Sequence, residues 1–219
     1  MDADEFIVAY YQYLNPLMEP HGYEPQLLTD TIERGIYAMA KNDGTATNET
    51  VFWRVFEAQY GEKSRDDRHL LDRFYRDEFG KIAAICHPTP YAKQAVERAK
   101  GNGRRVILAT NPFFPAVATE QRIRWAGLRP SDFERYTTYE DTYHCKPNLD
   151  YYRDILNALD LTADECLMVG NDVGEDMIAR DLGMQVFLLT DHLINRKNAD
   201  ISTYPHGTFP ELLEFLDTL

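Results

Sequence analysis

The stretch "CLMVGNDVGEDM", Cys166–Met177, decides how the second half of this sequence is interpreted. Its apolar run, stopped by Gly170, is typical of a short buried strand. Three carboxylates follow within five residues, at Asp172, Glu175 and Asp176. Like charges gathered at the end of a buried strand repel one another unless a positive group lies nearby. The stretch therefore predicts a strand whose end needs a cation.

Short apolar runs and helical patterns alternate on both sides of that strand. Helices are predicted at 90–100, through "AVATEQRIRWAG", at 148–159 and at 174–182, and strands at "RVILAT", near "FERYTTY", at "CLMVG" and at "VFLL". Glycine-bounded strands that alternate with helices of about ten residues are typical of a parallel sheet covered by helices. Residues 88–219 are therefore predicted to form a doubly wound α/β domain.

The preceding residues show helical periodicity throughout. Besides a first segment near the start of the chain, periodic stretches cover roughly 25–40, 48–60 and 67–85, separated by short turn sequences. Helices with short connections favour a small bundle. We therefore predict a helical cap domain at 1–87, followed by the α/β domain at 88–219.

Composition limits the classes of partner. The chain has 219 residues, 44% of them hydrophobic, and a formal net charge of −13, which disfavours binding to nucleic acid or to anionic membranes. The start "MDADEF" is acidic where a signal peptide is basic, and no apolar run approaches the ~20 residues of a membrane span. These features predict a cytoplasmic protein with three reduced cysteines; they leave the oligomeric state open.

The candidate site residues follow three separate predicted strands or loops. Thr110 and Asn111 end "RVILATN", Lys146 lies in "HCKPN", and Asp172 and Asp176 follow "CLMVG". Ligands of parallel sheets bind at the carboxyl ends of the strands. A hydroxyl and amide donors for phosphate, an ammonium, and two hard carboxylate ligands for Mg²⁺ together indicate phosphoryl transfer. By itself, Glu175 is typical of the acidic first turn of a helix.

In this order the motifs resemble those of the haloacid dehalogenase-like (HAD) hydrolases, most of which are phosphatases. "ILATN" is similar to their second motif, "KPN" to the third and "VGNDVGED" to the fourth, and the helical stretch resembles a C1-type cap. The resemblance implies that Thr110 binds phosphate and that Lys146 positions phosphate and nucleophile. It also implies that Asp172 holds Mg²⁺, with Asp176 close behind.

The first motif of that family, D-x-D-G-T after an apolar strand, supplies the aspartate nucleophile and has no match here. "DAD" at Asp2–Asp4 has no strand before it, and we interpret it as a helix N-terminus. "NDGT" at Asn42–Thr45 has Lys41 at the nucleophile position and is interpreted as a turn. We therefore expect the natural polypeptide to begin upstream of Met1 and the chain as written to be inactive or nearly so.

Other functions stay open on the sequence alone. A degenerate, non-enzymatic member could bind a phosphometabolite or a protein through the retained groups, with a strand donated by a partner chain. Haloacid or phosphonate chemistry also fits the resemblance. A nucleotide-binding domain is less favoured, because neither G-x-G-x-x-G nor G-x-x-x-x-G-K-[ST] occurs. The leading interpretation is a Mg²⁺-dependent phosphatase acting on a small phosphorylated metabolite.

Overall fold

The computed structural model describes residues 3–219. In chain order its main elements are α1 (Ala3–Met18), α2 (Pro25–Ala40), α3 (Asn48–Tyr60), α4 (Lys63–Asp66), α5 (Arg68–Arg73), α6 (Pro90–Gly101), β1 (Ile107–Leu108), α7 (Ala116–Trp125), β2 (Arg135–Tyr136), α8 (Leu149–Leu159), β3 (Leu167–Gly170), β4 (Gln185–Leu189), β5 (His206–Gly207) and α9 (Phe209–Leu216). A π-helical turn, Phe74–Glu78, and a 3-10 helix, Phe79–Ile85, continue from α5. Asp2 lies outside the described residues, and Asp4 lies in the first turn of α1.

The chain divides into two compact units. The first comprises the chain up to Thr89 with Leu108–Ser131 and Tyr136–His144; the second comprises Pro90–Ile107, Asp132–Arg135 and Cys145–Leu219. These units do not follow one chain boundary, since segments beyond residue 87 belong to the first. The division at residue 87 stays a prediction about domains.

Helices α2 and α3 pack closely in the first unit because the residue of α2 at their contact is a glycine. A Cβ on Gly35 would lie 2.6 Å from the ring of Phe52, so only glycine permits this approach. The Glu24 carboxylate caps α2 by accepting the N–H groups of Gln26 and Leu27. Elsewhere in the unit, the ring of Phe79 stacks on Trp125, with centroids 5.1 Å apart.

The second unit contains the parallel sheet. Strands β3, β4 and β5 lie side by side in that order, with Val169 opposite Phe187. Behind β4, the side chains of Phe187, Leu212 and Leu216 form an apolar core that also contacts Ala95 of α6. The α/β fold class with parallel strands is therefore confirmed, and among residues 3–219 no helix is long and apolar enough to cross a membrane.

Several predicted elements differ from those observed, including the strand near "FERYTTY", which is reduced to Arg135–Tyr136. The strand predicted at "RVILAT" is reduced to Ile107–Leu108, which pairs with β2 in a separate two-stranded sheet. The helix predicted at 174–182 is a turn followed by a 3-10 helix, Met177–Leu182, which ends at Gly183 with a φ of 94°. The Asp172 side chain caps this turn as an N-cap residue does, because it accepts the N–H groups of Gly174 and Glu175, two and three residues ahead.

Candidate functional site

The loop after β3 is held by two aspartates that bind each other's backbone. The Asp172 Oδ1 atom accepts the N–H groups of Gly174, at 2.8 Å, and Glu175, at 3.0 Å. The Asp176 N–H donates to the Asp172 carbonyl, and the Asp176 Oδ2 atom accepts the Asp172 N–H at 3.0 Å. Both side chains are buried, with residue exposures of 7% and 4%. A polar sequence thus forms a fixed loop directly after the strand.

Gly170 leaves the space that the Asp176 side chain occupies. A Cβ at residue 170 would lie 2.6 Å from the Asp176 Cβ and closer still to its carboxylate. Contacts below about 3 Å between such atoms force one of them to move. The glycine that ends β3 is therefore required for space and not for an unusual backbone angle.

Lys146 is a buried cation that forms an ion pair with this loop. Its ammonium donates to the Asp176 Oδ1 atom at 2.6 Å, and the side chains of the pair are 8% and 5% exposed. It lies two residues before the Asn148 side chain that caps α8 by accepting the Asp150 N–H. Breaking a buried ion pair on one side costs far more than a surface pair contributes, because it leaves the other charge buried. Removing either Lys146 or Asp176 alone is therefore expected to destabilise the fold.

Arg196 is a second cation, and the sequence did not reveal it. Its guanidinium donates to the Asp172 Oδ2 atom at 2.9 Å, although 70% of the arginine side chain is exposed. Backbone hydrogen bonds hold its segment against the acidic loop, from Val173 N–H to the Ile194 carbonyl and from Ile194 N–H to the Asn171 carbonyl. The adjacent basic residues after β4 were the only sequence signal, and a surface turn explains them equally well.

Tyr152 braces the loop from α8. Its hydroxyl donates to the Glu175 carbonyl at 2.7 Å. Burial, and then the negative charge of Asp176, raise the pKa of the Tyr152 hydroxyl, so it remains a neutral donor. Glu175 therefore contributes its backbone carbonyl to the loop.

Carboxylate oxygens are suitable ligands for Mg²⁺, and of the four carboxylate oxygens of Asp172 and Asp176 the best candidate is Asp172 Oδ2. Both Asp176 oxygens are engaged, one by the buried Lys146 and one by a backbone N–H, and Asp172 Oδ1 accepts two backbone N–H groups. Only Asp172 Oδ2 is bound by an exposed side chain, that of Arg196, which can move away. Mg²⁺ takes one or two protein carboxylates and completes its shell with water. Across residues 3–219 no group of three or more His, Cys, Asp or Glu side chains could hold a metal ion.

Thr110 and Asn111 belong to the first unit. The Thr110 carbonyl accepts the Thr137 hydroxyl at 2.7 Å, and the Asn111 carbonyl accepts the Phe113 N–H at 2.9 Å. The N-terminus of a helix, here that of the following α7, favours an anion such as phosphate. Its Ala116 N–H instead donates to the Glu140 carboxylate at 2.9 and 3.1 Å. An internal anion therefore already occupies that helix end.

The "NDGT" segment lies in the turn between α2 and α3. The Asp43 Oδ1 atom accepts the Thr45 N–H at 3.0 Å and the Thr45 hydroxyl at 2.7 Å. These hydrogen bonds hold the pKa of the Asp43 carboxyl below its usual value. The structure thus places Lys146, Asp172 and Asp176 together in the second unit; the catalytic, substrate-binding and metal-binding roles of all five candidate residues stay predictions.

Comparison with known proteins gives a family and a fold. A family model described as haloacid dehalogenase-like hydrolase matches residues 9–181. No curated protein matches the chain. A HAD phosphatase from Thermococcus onnurineus is similar in structure, with 17% identity, a TM-score of 0.58, and coverage of 97% of this chain and 91% of that one.

Two further solved structures are similar over nearly the whole chain. The HAD-hydrolase YfnB from Bacillus subtilis, bound to magnesium, is 18% identical with a TM-score of 0.56, covering 97% of this chain and 92% of that one. L-2-haloacid dehalogenase from Xanthobacter autotrophicus, with chloropropionic acid covalently bound, is 12% identical with a TM-score of 0.55, covering 96% and 94%. At these identities the likeness shows a shared fold.

Proposed function

Because this chain belongs to the haloacid dehalogenase-like hydrolases, we propose that its fold serves Mg²⁺-dependent hydrolysis of a small phosphorylated metabolite through an aspartyl-phosphate. The observation that carries the proposal is the buried pair of Lys146 and Asp176 beside Asp172, at the end of β3. The fold shared with the Thermococcus onnurineus phosphatase supports this chemistry. The fold shared with the Xanthobacter autotrophicus dehalogenase keeps haloacid substrates as the competing class.

We assign the cation to Asp172, with Asp176 as its predicted neighbour in the metal site. Bound there, Mg²⁺ would supply positive charge to phosphoryl oxygens. Asp176 does more in this chain, because it fixes the Lys146 ammonium and the backbone of Asp172. The Lys146 ammonium would then supply positive charge beside a phosphate oxygen. Thr110 and Asn111 keep the substrate-binding role that the family resemblance implies.

The nucleophile is the missing participant. The 219 residues contain no D-x-D-G-T after an apolar strand, and the nearest partial match holds Asp43 in a hydrogen-bonded turn. We therefore propose that this chain by itself turns over little or no phosphate ester. Its retained groups would bind phosphate and cation without completing the reaction.

The test compares three proteins with p-nitrophenyl phosphate and Mg²⁺. They are the 219-residue chain, the chain with an added N-terminal apolar strand ending in D-x-D-G-T, and the same extension with its first aspartate replaced by asparagine. We expect turnover only with the intact added motif. Substantial Mg²⁺-dependent turnover by the 219-residue chain would overturn the assigned roles, and inactivity of all three with retained phosphate binding would favour the non-enzymatic alternative.

A further inference from the structure

Arg196 lies where a divalent cation would approach Asp172. Its guanidinium donates to Asp172 Oδ2 at 2.9 Å, the carboxylate oxygen that accepts no backbone N–H. A guanidinium and a hydrated cation cannot both take the same lone pairs of one oxygen at full strength, and their like charges repel at contact distance. One positive group at this oxygen therefore weakens the binding of the other.

Hydrogen bonds of the backbone and of Asn195 hold the segment that carries Arg196. The Val173 N–H donates to the Ile194 carbonyl, which ties the arginine's segment to the acidic loop. A turn fixes the arginine itself, because the Asn195 side chain accepts the Ala199 N–H at 2.9 Å and donates to the Ala199 carbonyl at 2.9 Å. The backbone is thus held close to Asp172, while the side chain, 70% exposed, is free to swing into solvent.

We propose that Arg196 is an internal competitor that occupies Asp172 when no divalent cation is bound and leaves when one binds. This inference rests on the proposed function, since it requires a cation at Asp172. A protein whose binding-competent form is only partly populated shows a proportionally higher apparent Kd. Exposed ion pairs are weak, so removal of the competitor is expected to lower the Kd roughly two- to fivefold.

The chain offers a matched control in the next residue. Lys197 is exposed and carries the same charge, with no contact to Asp172 among the described interactions. Mn²⁺ binding would be measured from the electron paramagnetic resonance signal of free Mn²⁺, at low salt, for the 219-residue wild type, R196Q, K197Q and D172N. Thermal unfolding of each variant would verify that it is folded.

We expect R196Q to bind Mn²⁺ two- to fivefold more tightly than wild type, K197Q to match wild type, and D172N to lose binding. The R196Q difference should shrink towards none near 1 M KCl, where the Debye length is about 3 Å. The inference alone is overturned if D172N loses binding while R196Q is unchanged or weaker, or if K197Q tightens binding as much as R196Q. If D172N keeps wild-type affinity, or no variant binds Mn²⁺, the metal site fails and the inference fails with it.

Discussion

Two loops of this protein begin with the same Asn-Asp pair and have different uses. In the turn Asn42–Thr45, Asp43 accepts the N–H two residues ahead, and in the loop after β3, Asp172 does the same with Gly174. Asp43 lies at the surface and also binds the neighbouring Thr45 hydroxyl. Asp172 is buried and accepts a hydrogen bond from Arg196, which is distant in sequence.

The difference shows which part of a site is local. An aspartate followed by a glycine-containing turn folds onto its own backbone in either place, because the short carboxylate reaches the next N–H groups. The loop after β3 differs because two cations that are distant in sequence contact it. Lys146 lies thirty residues before its partner Asp176, and Arg196 lies 24 residues after its partner Asp172. The charged partners of the candidate site are therefore brought together by the fold and not by the local sequence.

The largest expected effect comes from removing the buried cation. Lys146→Met keeps the side-chain length and leaves the Asp176 carboxylate buried without its partner. We expect the free energy of unfolding to fall by about 3–5 kcal/mol, measured by urea denaturation. Adding Asp176→Asn should recover more than half of the loss, because no unpaired charge then remains. A loss below about 1 kcal/mol in the single variant would contradict the buried-pair account.

The glycines of the two loops differ in the side chain that an added Cβ would meet. Gly170→Ala should cost about 1–3 kcal/mol and displace Asp176, because the new methyl group meets that side chain. At Gly44, whose φ is 84°, an added Cβ would also lie 2.5 Å from the imidazole of His144. That ring ends a side chain that can move, and Asn tolerates the left-handed region, so Gly44→Asn should cost less. Urea denaturation of both variants measures the contrast. A Gly170→Ala variant as stable as wild type would show that Asp176 does not fill the space at residue 170.

A smaller effect is expected from neutralising Asp172 without changing its shape. Asp172→Asn keeps an oxygen for the two backbone N–H groups and loses the ionic part of those bonds and of the Arg196 contact. The free energy of unfolding should fall by about 1 kcal/mol. Asp43→Asn, the matched change in the other loop, should lower the urea midpoint less than Asp172→Asn does. A larger shift in D43N than in D172N would reverse the comparison.

The smallest expected effect is a pH dependence confined to the surface turn. Since hydrogen bonds from Thr45 hold the pKa of Asp43 below its ordinary value of 3.8, the ionised carboxylate stabilises the fold above that value. This stabilisation should disappear as pH falls through the lowered pKa. The melting temperatures of wild type and D43N would be compared between about pH 5 and about pH 2.5. The difference between them should shrink as the pH falls. A difference that stays constant would mean that Asp43 does not contribute through its charge.

Local patterns predicted the helices well and the strands less well. The bounds of α2 and α3 agree with the helical periodicity, and Asn148 caps α8 where its sequence places it. β1 is shorter than its apolar run, because strand length depends on pairing with other strands, which no single segment encodes. The family itself followed from the spacing of three motifs, and the family model confirms it.

The candidate site was predictable only in part. Residue type and motif spacing identified Lys146, Asp172 and Asp176, which the structure brings together. Arg196 was missed, because its contact depends on the backbone pairing of Ile194 with the acidic loop. Gly170 was recognised as a strand end, whereas its need for space follows only from where the Asp176 side chain points.

The proposed binding of a divalent cation at Asp172, in the loop after β3, underlies the other roles assigned to this loop. A crystal soaked with Mn²⁺ and measured for anomalous scattering tests it most directly. We expect a peak within about 2.5 Å of Asp172 Oδ2, with the Arg196 guanidinium moved away and Lys146 still bound to Asp176. A peak elsewhere, or none while Arg196 stays on Asp172, would contradict it.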